Sequence, residues 1–158
     1  MNWNRTEYLM AESDDHLAIA KQLFMEYARS LEFNLGFQDF EEEIAEMPGQ
    51  YGPPDGCILL AFCDDVPVGC VALRKLEERI CEMKRLYVKP EFRRLGIGRT
   101  LSVKIIDEAK RLGYDKMRLD TLSTMKEAIS IYRQLGFHNI EPYRYNPFEH
   151  AVFLEKDI

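Results

Sequence analysis

The stretch Arg93–Gly98, RRLGIG, joins an apolar run at Leu86–Val88 to a helical pattern that begins at once. Apolar residues recur along that pattern at spacings of three and four, at Ile97, Leu101, Ile105, Ala109 and Leu112. They form one stripe that packs against a core, so the start of the helix points outward. Unpaired amides and the helix dipole stabilise an anion there, while glycines permit a close approach and arginines supply charge. The stretch therefore predicts a phosphate-binding turn between a strand and a helix.

The charge of the chain is unevenly distributed. The formal net charge is −6; residues 1–83 hold 17 acidic and 6 basic residues, whereas residues 84–104 hold 7 basic residues and 1 acidic residue. A solvated helix face explains most charge runs, but this basic island coincides with the glycines of the turn. We therefore expect a compact polyanion at the turn. The acidic remainder disfavours nonspecific binding to nucleic acid.

Length and composition limit the class of protein. With 158 residues, 46% of them hydrophobic, we expect a single domain over residues 1–158. No apolar run approaches the roughly 20 residues of a bilayer span, and the N-terminus lacks a signal-peptide core. We therefore expect a cytoplasmic protein that binds no membrane. The four cysteines lie in strand-like stretches without metal-ligand spacing, which predicts buried thiols and no metal site.

The order of periodic segments predicts a layered α/β domain. Ser13 is a candidate N-cap for a first helix with apolar residues from Leu17 to Tyr27, and a second, acidic helix covers Asp39–Met47. The later predicted elements are strands at Cys57–Cys63, Pro67–Leu73, Ile80–Val88 and Lys116–Asp120, a helix from the capping box Thr124–Glu127 to Leu135, and last strands at Phe137–Tyr143 and Ala151–Glu155.

Two segments of this chain resemble signatures of a known family. The turn at Arg93–Gly98, Arg-x-x-Gly-x-Gly between a strand and a long helix, resembles the acyl-CoA signature of the GNAT superfamily of N-acyltransferases. Ala128–Phe137 resembles a second signature of that family, and the resemblance runs from about Asp55 to Phe153. It implies a mixed, mostly antiparallel central sheet flanked by helices. Two central strands would splay apart at the end of the third predicted strand, with the thioester arm of acetyl-CoA in the cleft.

The resemblance also implies which residues bind acetyl-CoA. The backbone of Leu86, Tyr87 and Val88 would pair with the pantetheine arm as an added strand does. The remaining implied cofactor-binding residues are Arg93, Arg94, Leu95, Gly96, Ile97, Gly98, Arg99, Thr100, Ser123 and Tyr132. The family often has an asparagine where this chain has Met125, a departure that affects contacts to the arm at Ser123 and Thr124.

Two residues are candidates for proton transfer. The matching tyrosine in many relatives protonates the leaving thiolate, which makes Tyr132 the candidate acid, although helical spacing alone favours a core aromatic with a polar tip. Glu82 stands where some protein-acetylating relatives carry a glutamate base, although a carboxylate on a strand is usually exposed or paired. Strict alternation puts Glu82 on one strand face with Lys84, Leu86 and Val88. A water chain is the alternative route for the proton of the amine.

The leading hypothesis from the resemblance is an N-acetyltransferase that moves an acetyl group from acetyl-CoA to a primary amine by direct transfer in a ternary complex. The acceptor, a small molecule or a peptide amine, stays open. Acidic residues in Asp39–Glu46 weakly favour a cationic amine, but a solvated helix face explains them more simply. The alternatives are a non-catalytic acyl-CoA-binding sensor or regulatory module and a nucleotide-binding protein without acyl chemistry. Homodimers are common in that family, although no residue here fixes an interface.

Overall fold

The computed structural model describes residues 5–31 and 37–158. Its strands are β1 Thr6–Met10, β2 Cys57–Cys63, β3 Val66–Glu77, β4 Ile80–Val88, β5 Lys116–Leu122, β6 His138–Asn139 and β7 Ala151–Asp157. Its α-helices are α1 Asp14–Ser30, α2 Phe37–Glu46, α3 Ile97–Arg111 and α4 Lys126–Gln134, and 3₁₀ turns lie at Gly49–Tyr51 and Pro90–Phe92. None of the helices in these residues has the length and apolar character needed to cross a membrane.

The strands of the described residues form one sheet in the order β1-β2-β3-β4-β5-β7-β6. Neighbouring strands are antiparallel except β4 and β5, which are parallel and therefore need the crossover through α3. These two strands pair only over Ile80–Glu82 and Lys116–Arg118, at their N-terminal ends, and then separate. The predicted α/β fold is confirmed: the sheet is mixed, mostly antiparallel and flanked by helices, with a gap between two central strands.

A β-bulge in β4 lies next to this gap. The two residues of β4 between Lys84 and Tyr87 lie opposite a single residue of β3. Arg85, inside the bulge, has a φ of 59°, which is uncommon for a residue with a side chain. Met83 before the bulge and Leu86 after it consequently pack against the same hydrophobic cluster, while Tyr87 packs against the cluster on the other face. The predicted strict alternation along β4 is therefore wrong beyond Lys84.

Hydrophobic residues cover both faces of the sheet. On one face, α3 packs through Ile97, Leu101, Ile105 and Ala109, which confirms the predicted stripe. On the other face, α1 packs through Ala20, Leu23 and Phe24. The four cysteines are buried in the strands, as predicted, and none is in a disulfide. Packing of α3 on β3 and β4 fixes where its N-terminus emerges beside the gap.

The starts of two helices test the predicted caps. The Ser13 side chain accepts a hydrogen bond from the amide of His16 at 3.1 Å, which confirms the N-cap of α1. The capping box predicted at Thr124 is wrong, because α4 begins at Lys126 and has no side-chain cap hydrogen bond at Met125. The Met125 amide instead donates to the carbonyl of Leu122, so the chain makes a separate turn between β5 and α4.

The outer strands differ from the predicted ones. β1, which pairs with β2, was not predicted, because five residues with only three apolar positions give a weak strand pattern. β6 covers only His138–Asn139 instead of Phe137–Tyr143. After β6 the chain leaves the sheet, and Tyr143 and Arg144 in the following segment are hydrogen-bonded to the buried carboxylate of Glu82.

Candidate active site

A groove of about 1280 Å³ lies along the gap between β4 and β5, and we call it the outer groove. It is bounded by the end of β4, by the turn before α3 and by α4. The implied cofactor-binding residues that line it are Leu86, Tyr87, Val88, Arg93, Arg94, Gly96, Ile97, Gly98 and Arg99. The fold thus brings most of the implied set, from both sides of the strand-to-helix turn, to one surface.

The turn before α3 has the backbone conformation of an anion site. Arg94 and Gly96 have positive φ values of 67° and 82°, and Gly96 is the N-cap of α3. The first helical hydrogen bond runs from the Thr100 amide to the Gly96 carbonyl at 3.0 Å, so the amides of Ile97–Arg99 have no partner within the helix. These amides lie at the positive end of a helix dipole. An anion at this end of α3 is stabilised by both effects.

Arginine side chains surround the same turn. Arg93 Nε donates to the Val88 carbonyl at 3.0 Å, and Arg99 donates to a glutamine side chain of α4 at 3.1 Å. Arg94 lies 3.8 Å from a carboxylate oxygen of Glu127, but 87% of its side chain is exposed. An exposed ion pair of this kind contributes little to stability, so Arg94 is available to a phosphate.

Four implied cofactor-binding residues lie outside the lining of the outer groove, namely Leu95, Thr100, Ser123 and Tyr132. Leu95 is exposed, with 53% of its surface accessible. The hydroxyl of Thr100 donates to the Gly96 carbonyl at 2.9 Å, and the amide of Ser123 donates to the carbonyl of His150 at 2.9 Å. Local hydrogen bonds to the backbone therefore occupy the Thr100 hydroxyl and the Ser123 amide in this structure.

Among the residues that the structure describes, none forms a strand partner for the β5-facing edge of β4 after Glu82. Leu86, Tyr87 and Val88 lie on this part of β4 and line the outer groove. An unpaired strand edge presents backbone donors and acceptors that another extended chain with amide groups pairs with. The geometry is therefore suitable for a pantetheine arm.

A smaller cavity of about 100 Å³, which we call the inner pocket, adjoins the outer groove at the bulge of β4. The two cavities have in common the lining residues Tyr27, Leu31, Leu86, Leu122 and Met125. The polar and charged residues that line the inner pocket are Tyr27, Lys84, Arg85, Asp120, Thr121, Tyr132 and Asn146. A ligand in the groove and a second ligand in the pocket would meet at the shared wall.

Tyr132, the candidate acid, lies in α4 and lines the inner pocket. Its ring packs edge-on against Phe137 at 5.8 Å between centroids, and only 6% of the residue is exposed. Burial raises the pKa of its hydroxyl, so the hydroxyl is protonated at neutral pH. Tyr132 is thus both a core aromatic and a group with access to the pocket.

Glu82, the candidate base, lies outside the lining of both cavities. It is completely buried, and its carboxylate accepts hydrogen bonds from Arg74 at 2.7 Å, from Tyr143 at 2.5 Å and from Arg144. Burial alone would raise the pKa of Glu82, but the charges of Lys84, Arg74 and Arg144 and the Tyr143 hydrogen bond lower it overall. A carboxylate held this firmly in its ionised form is a weak base. The geometry therefore favours a role for Glu82 in holding the pocket together.

Charged residues of the inner pocket were missed by the sequence analysis. Asp120 accepts a hydrogen bond from the Asn146 side chain at 3.1 Å, and the Lys84 ammonium lies 4.0 Å from the other Asp120 oxygen. Arg85 makes two hydrogen bonds of 2.9 Å to Glu43 of α2. Burial, together with the charge of Arg85, lowers the pKa of Lys84 to about 8. The available signal was a pair of adjacent basic residues in a strand whose other residues, apart from Glu82, are apolar.

Comparison with known proteins gives this arrangement a family. The profile of the Acetyltransferase (GNAT) family matches residues 5–137. An uncharacterized N-acetyltransferase of Schizosaccharomyces pombe is 39% identical over 140 residues, which cover 87% of this chain and 86% of the relative. The chain belongs to the GNAT family of acetyltransferases.

Solved structures share the fold at lower sequence identity. An acetyltransferase from Streptococcus agalactiae has a TM-score of 0.80 at 20% identity, covering 98% of this chain and 99% of that one. The PaiA N-acetyltransferase from Thermoplasma acidophilum, solved in complex with coenzyme A, has a TM-score of 0.74 at 20% identity and covers 98% and 99% of the two chains. The mixed sheet with separated central strands is therefore the GNAT fold.

Proposed function

We propose that this protein moves an acetyl group from acetyl-CoA to a primary amine by direct transfer in a ternary complex. The observation that carries the proposal is the shared wall of the outer groove and the inner pocket, which includes Leu86 of β4. A thioester carbonyl at this wall would be open to an amine in the pocket. Both substrates would be bound together, so the acetyl group needs no carrier residue on the enzyme.

Acetyl-CoA is the proposed ligand of the outer groove. Its phosphates would lie at the turn Arg93–Arg99, and its pantetheine arm would pair with the free edge of Leu86–Val88. Support comes from membership of the acetyltransferase family and from the structural neighbour solved with coenzyme A. Contacts from Leu95, Thr100 and Ser123 to the cofactor stay predictions.

The chemistry requires the amine nitrogen to attack the thioester carbonyl carbon, after which the carbon–sulfur bond breaks. Charge develops first on the carbonyl oxygen, and we assign its stabilisation to a backbone amide of Leu86 or Tyr87. The leaving sulfur needs a proton, and we assign this proton to the hydroxyl of Tyr132, which burial keeps protonated. The amine must also lose a proton. Because Glu82 is paired with Arg74 and Arg144, we assign that step to water in the pocket rather than to Glu82.

The test of the activity is acetyl-CoA-dependent thiol release with a panel of small amines, amino acids, polyamines, aminoglycosides and lysine peptides. A reaction without acceptor is the control. Turnover with one class establishes the enzyme and its acceptor chemistry. Acetyl-CoA binding without turnover on the whole panel would instead favour a sensor or regulatory module.

The test of the proposed acid is Tyr132→Phe, which removes only the hydroxyl. We expect turnover to fall at least tenfold with little change in acetyl-CoA affinity, because the leaving thiolate loses its proton donor. The matched control is Tyr145→Phe, since Tyr145 is 88% exposed and lines neither cavity. An unchanged rate for Tyr132→Phe would remove the acid role.

Other expectations stay predictions alongside this function. The first is a single domain over residues 1–158, which the one sheet that spans Thr6–Asp157 supports. The others are a cytoplasmic location, the absence of a metal, of nucleic acid and of a membrane as partners, and a homodimer of the kind common in the family.

A further inference from the structure

The ammonium of Lys84 is the most unusual group in the inner pocket. Only 13% of its side chain is exposed, and it lines the pocket beside Asp120. Within residues 5–31 and 37–158 it has no acceptor at hydrogen-bond distance, since the nearest carboxylate oxygen, on Asp120, is 4.0 Å away. An ammonium has three donors, and burying it without acceptors is costly. A ligand that supplies an acceptor would relieve this cost.

The other charges around the pocket are already committed to one another. Arg85 is held by Glu43, which also accepts a hydrogen bond from the Tyr51 hydroxyl at 2.8 Å. Glu82 is held by Arg74 and by Arg144. The described charged groups of this region are the cations Arg74, Lys84, Arg85 and Arg144 and the carboxylates Glu43, Glu82 and Asp120. The region therefore carries one positive charge in excess. Of these four described cations, Lys84 alone makes no hydrogen bond to a carboxylate, which leaves its donors to an anionic ligand.

Asp120 gives the pocket a second, opposite feature. One of its oxygens accepts from Asn146, and the other has no donor at hydrogen-bond distance among the described residues. This oxygen is suited to an amine or ammonium group of a ligand. The pocket thus offers a donor for an anion and an acceptor for an amine on opposite sides of the 4.0 Å gap between Lys84 and Asp120. The volume of about 100 Å³ favours a small ligand.

We propose that the acceptor is a small amino acid, an amine that carries its own carboxylate, and that Lys84 binds this carboxylate. This inference rests on the proposed acetyl transfer and names the substrate class of the same site. It differs from the cationic acceptor that the acidic residues of α2 weakly favoured. In the structure Glu43 is neutralised by Arg85, while Glu41, Glu42 and Glu46 are exposed on the surface of α2.

The test compares matched acceptors with and without the carboxylate. Small α- and β-amino acids are each assayed beside their carboxamide and beside the amine that lacks the group, and binding of the same compounds to the protein–CoA complex is measured by calorimetry. We expect kcat/KM for the acids to exceed that for the amides at least tenfold. Lys84→Met should abolish this preference mainly through KM, whereas the control Lys110→Met, at an exposed position of α3, should keep it.

The outcomes separate this inference from the proposed function. Transfer to amides and plain amines as efficient as transfer to the acids would overturn the carboxylate role and leave the acetyltransferase intact. An equal loss of turnover on acids and amides in Lys84→Met would also overturn it, because the lysine would then act in proton transfer. Failure of every acid to bind the CoA complex in the calorimeter would overturn it as well. Failure to bind acetyl-CoA at all would reject the proposed function itself.

Discussion

Replacing Lys84 by methionine is expected to stabilise the unliganded protein. Burial and the nearby charge of Arg85 lower the pKa of Lys84 from 10.5 to about 8, and only 13% of its side chain is exposed. Each pKa unit corresponds to about 1.4 kcal/mol, so the charged form costs about 3 kcal/mol at pH 7. This net cost already contains the attraction of Glu82 and Asp120 and the repulsion of Arg85 and Arg144. Methionine fills a similar volume without a charge.

The pH dependence of this effect has a defined sign. Between pH 8 and 10.5 the unfolded chain keeps the Lys84 proton and the folded chain releases it, so the wild-type protein gains stability as pH rises. The full cost is present below the folded pKa and disappears above the unfolded one. The advantage of Lys84→Met should therefore shrink by about 2 kcal/mol between pH 7 and pH 9.5.

Urea unfolding of both proteins at pH 7 and pH 9.5 measures these differences. For a chain of this length, about 3 kcal/mol corresponds to an increase in Tm of roughly 6 to 12 °C. The control Lys110→Met should stay within about 0.5 kcal/mol of the wild type at both pH values, because the side chain is exposed. A Lys84→Met protein that is less stable than the wild type at pH 7, or a pH-independent gap, would refute the reasoning.

Three further substitutions test the rest of the site. Glu82→Gln should lower the free energy of unfolding by about 3 kcal/mol at pH 7, because two partly buried guanidinium groups lose their fully buried carboxylate. The lowered pKa of Glu82 makes this difference largest above the usual glutamate range, and it should fade as pH drops through the folded pKa in urea titrations. The pH profile of kcat should not move, and a shifted profile would restore Glu82 as the base. Gly96→Ala and Gly98→Ala form a matched pair: at φ 82° the first should cost about 1 kcal/mol of stability, whereas a Cβ at Gly98 lies 3.6 Å from Ile131, an ordinary contact. Gly98→Ala should therefore change Tm little, but it should raise the KM for acetyl-CoA because the added methyl hinders the close approach of a phosphate. Unchanged KM values for both variants would contradict a phosphate site at this turn.

Short-range patterns determined much of this protein. The turn Arg93–Gly98, the apolar stripe of α3 and the Ser13 cap were all predicted from residues within a few positions of one another. Such features depend on local hydrogen bonds and helical periodicity, which a single stretch of sequence encodes. The succession of strands and helices followed in the same way, and with it the family resemblance.

Only the tertiary structure decided what the strands present to the site. The bulge at Arg85 changes which side chains of β4 face each side of the sheet, and it depends on pairing with β3. Glu82 is ionised and enclosed because Tyr143 and Arg144, about 60 positions later in the chain, fold over it. Alternation along a strand contains no information about such partners.

The inner pocket is the clearest case of this division. Its two opposed charges, Lys84 and Asp120, come from β4 and β5, which are neighbours in space because α3 crosses between them. Neither residue belongs to a motif, and the sequence by itself determined the cofactor side of the site rather than the acceptor side. The physical reason is that a phosphate is bound by one local turn, whereas an acceptor pocket is assembled from distant segments whose proximity only the packed sheet creates.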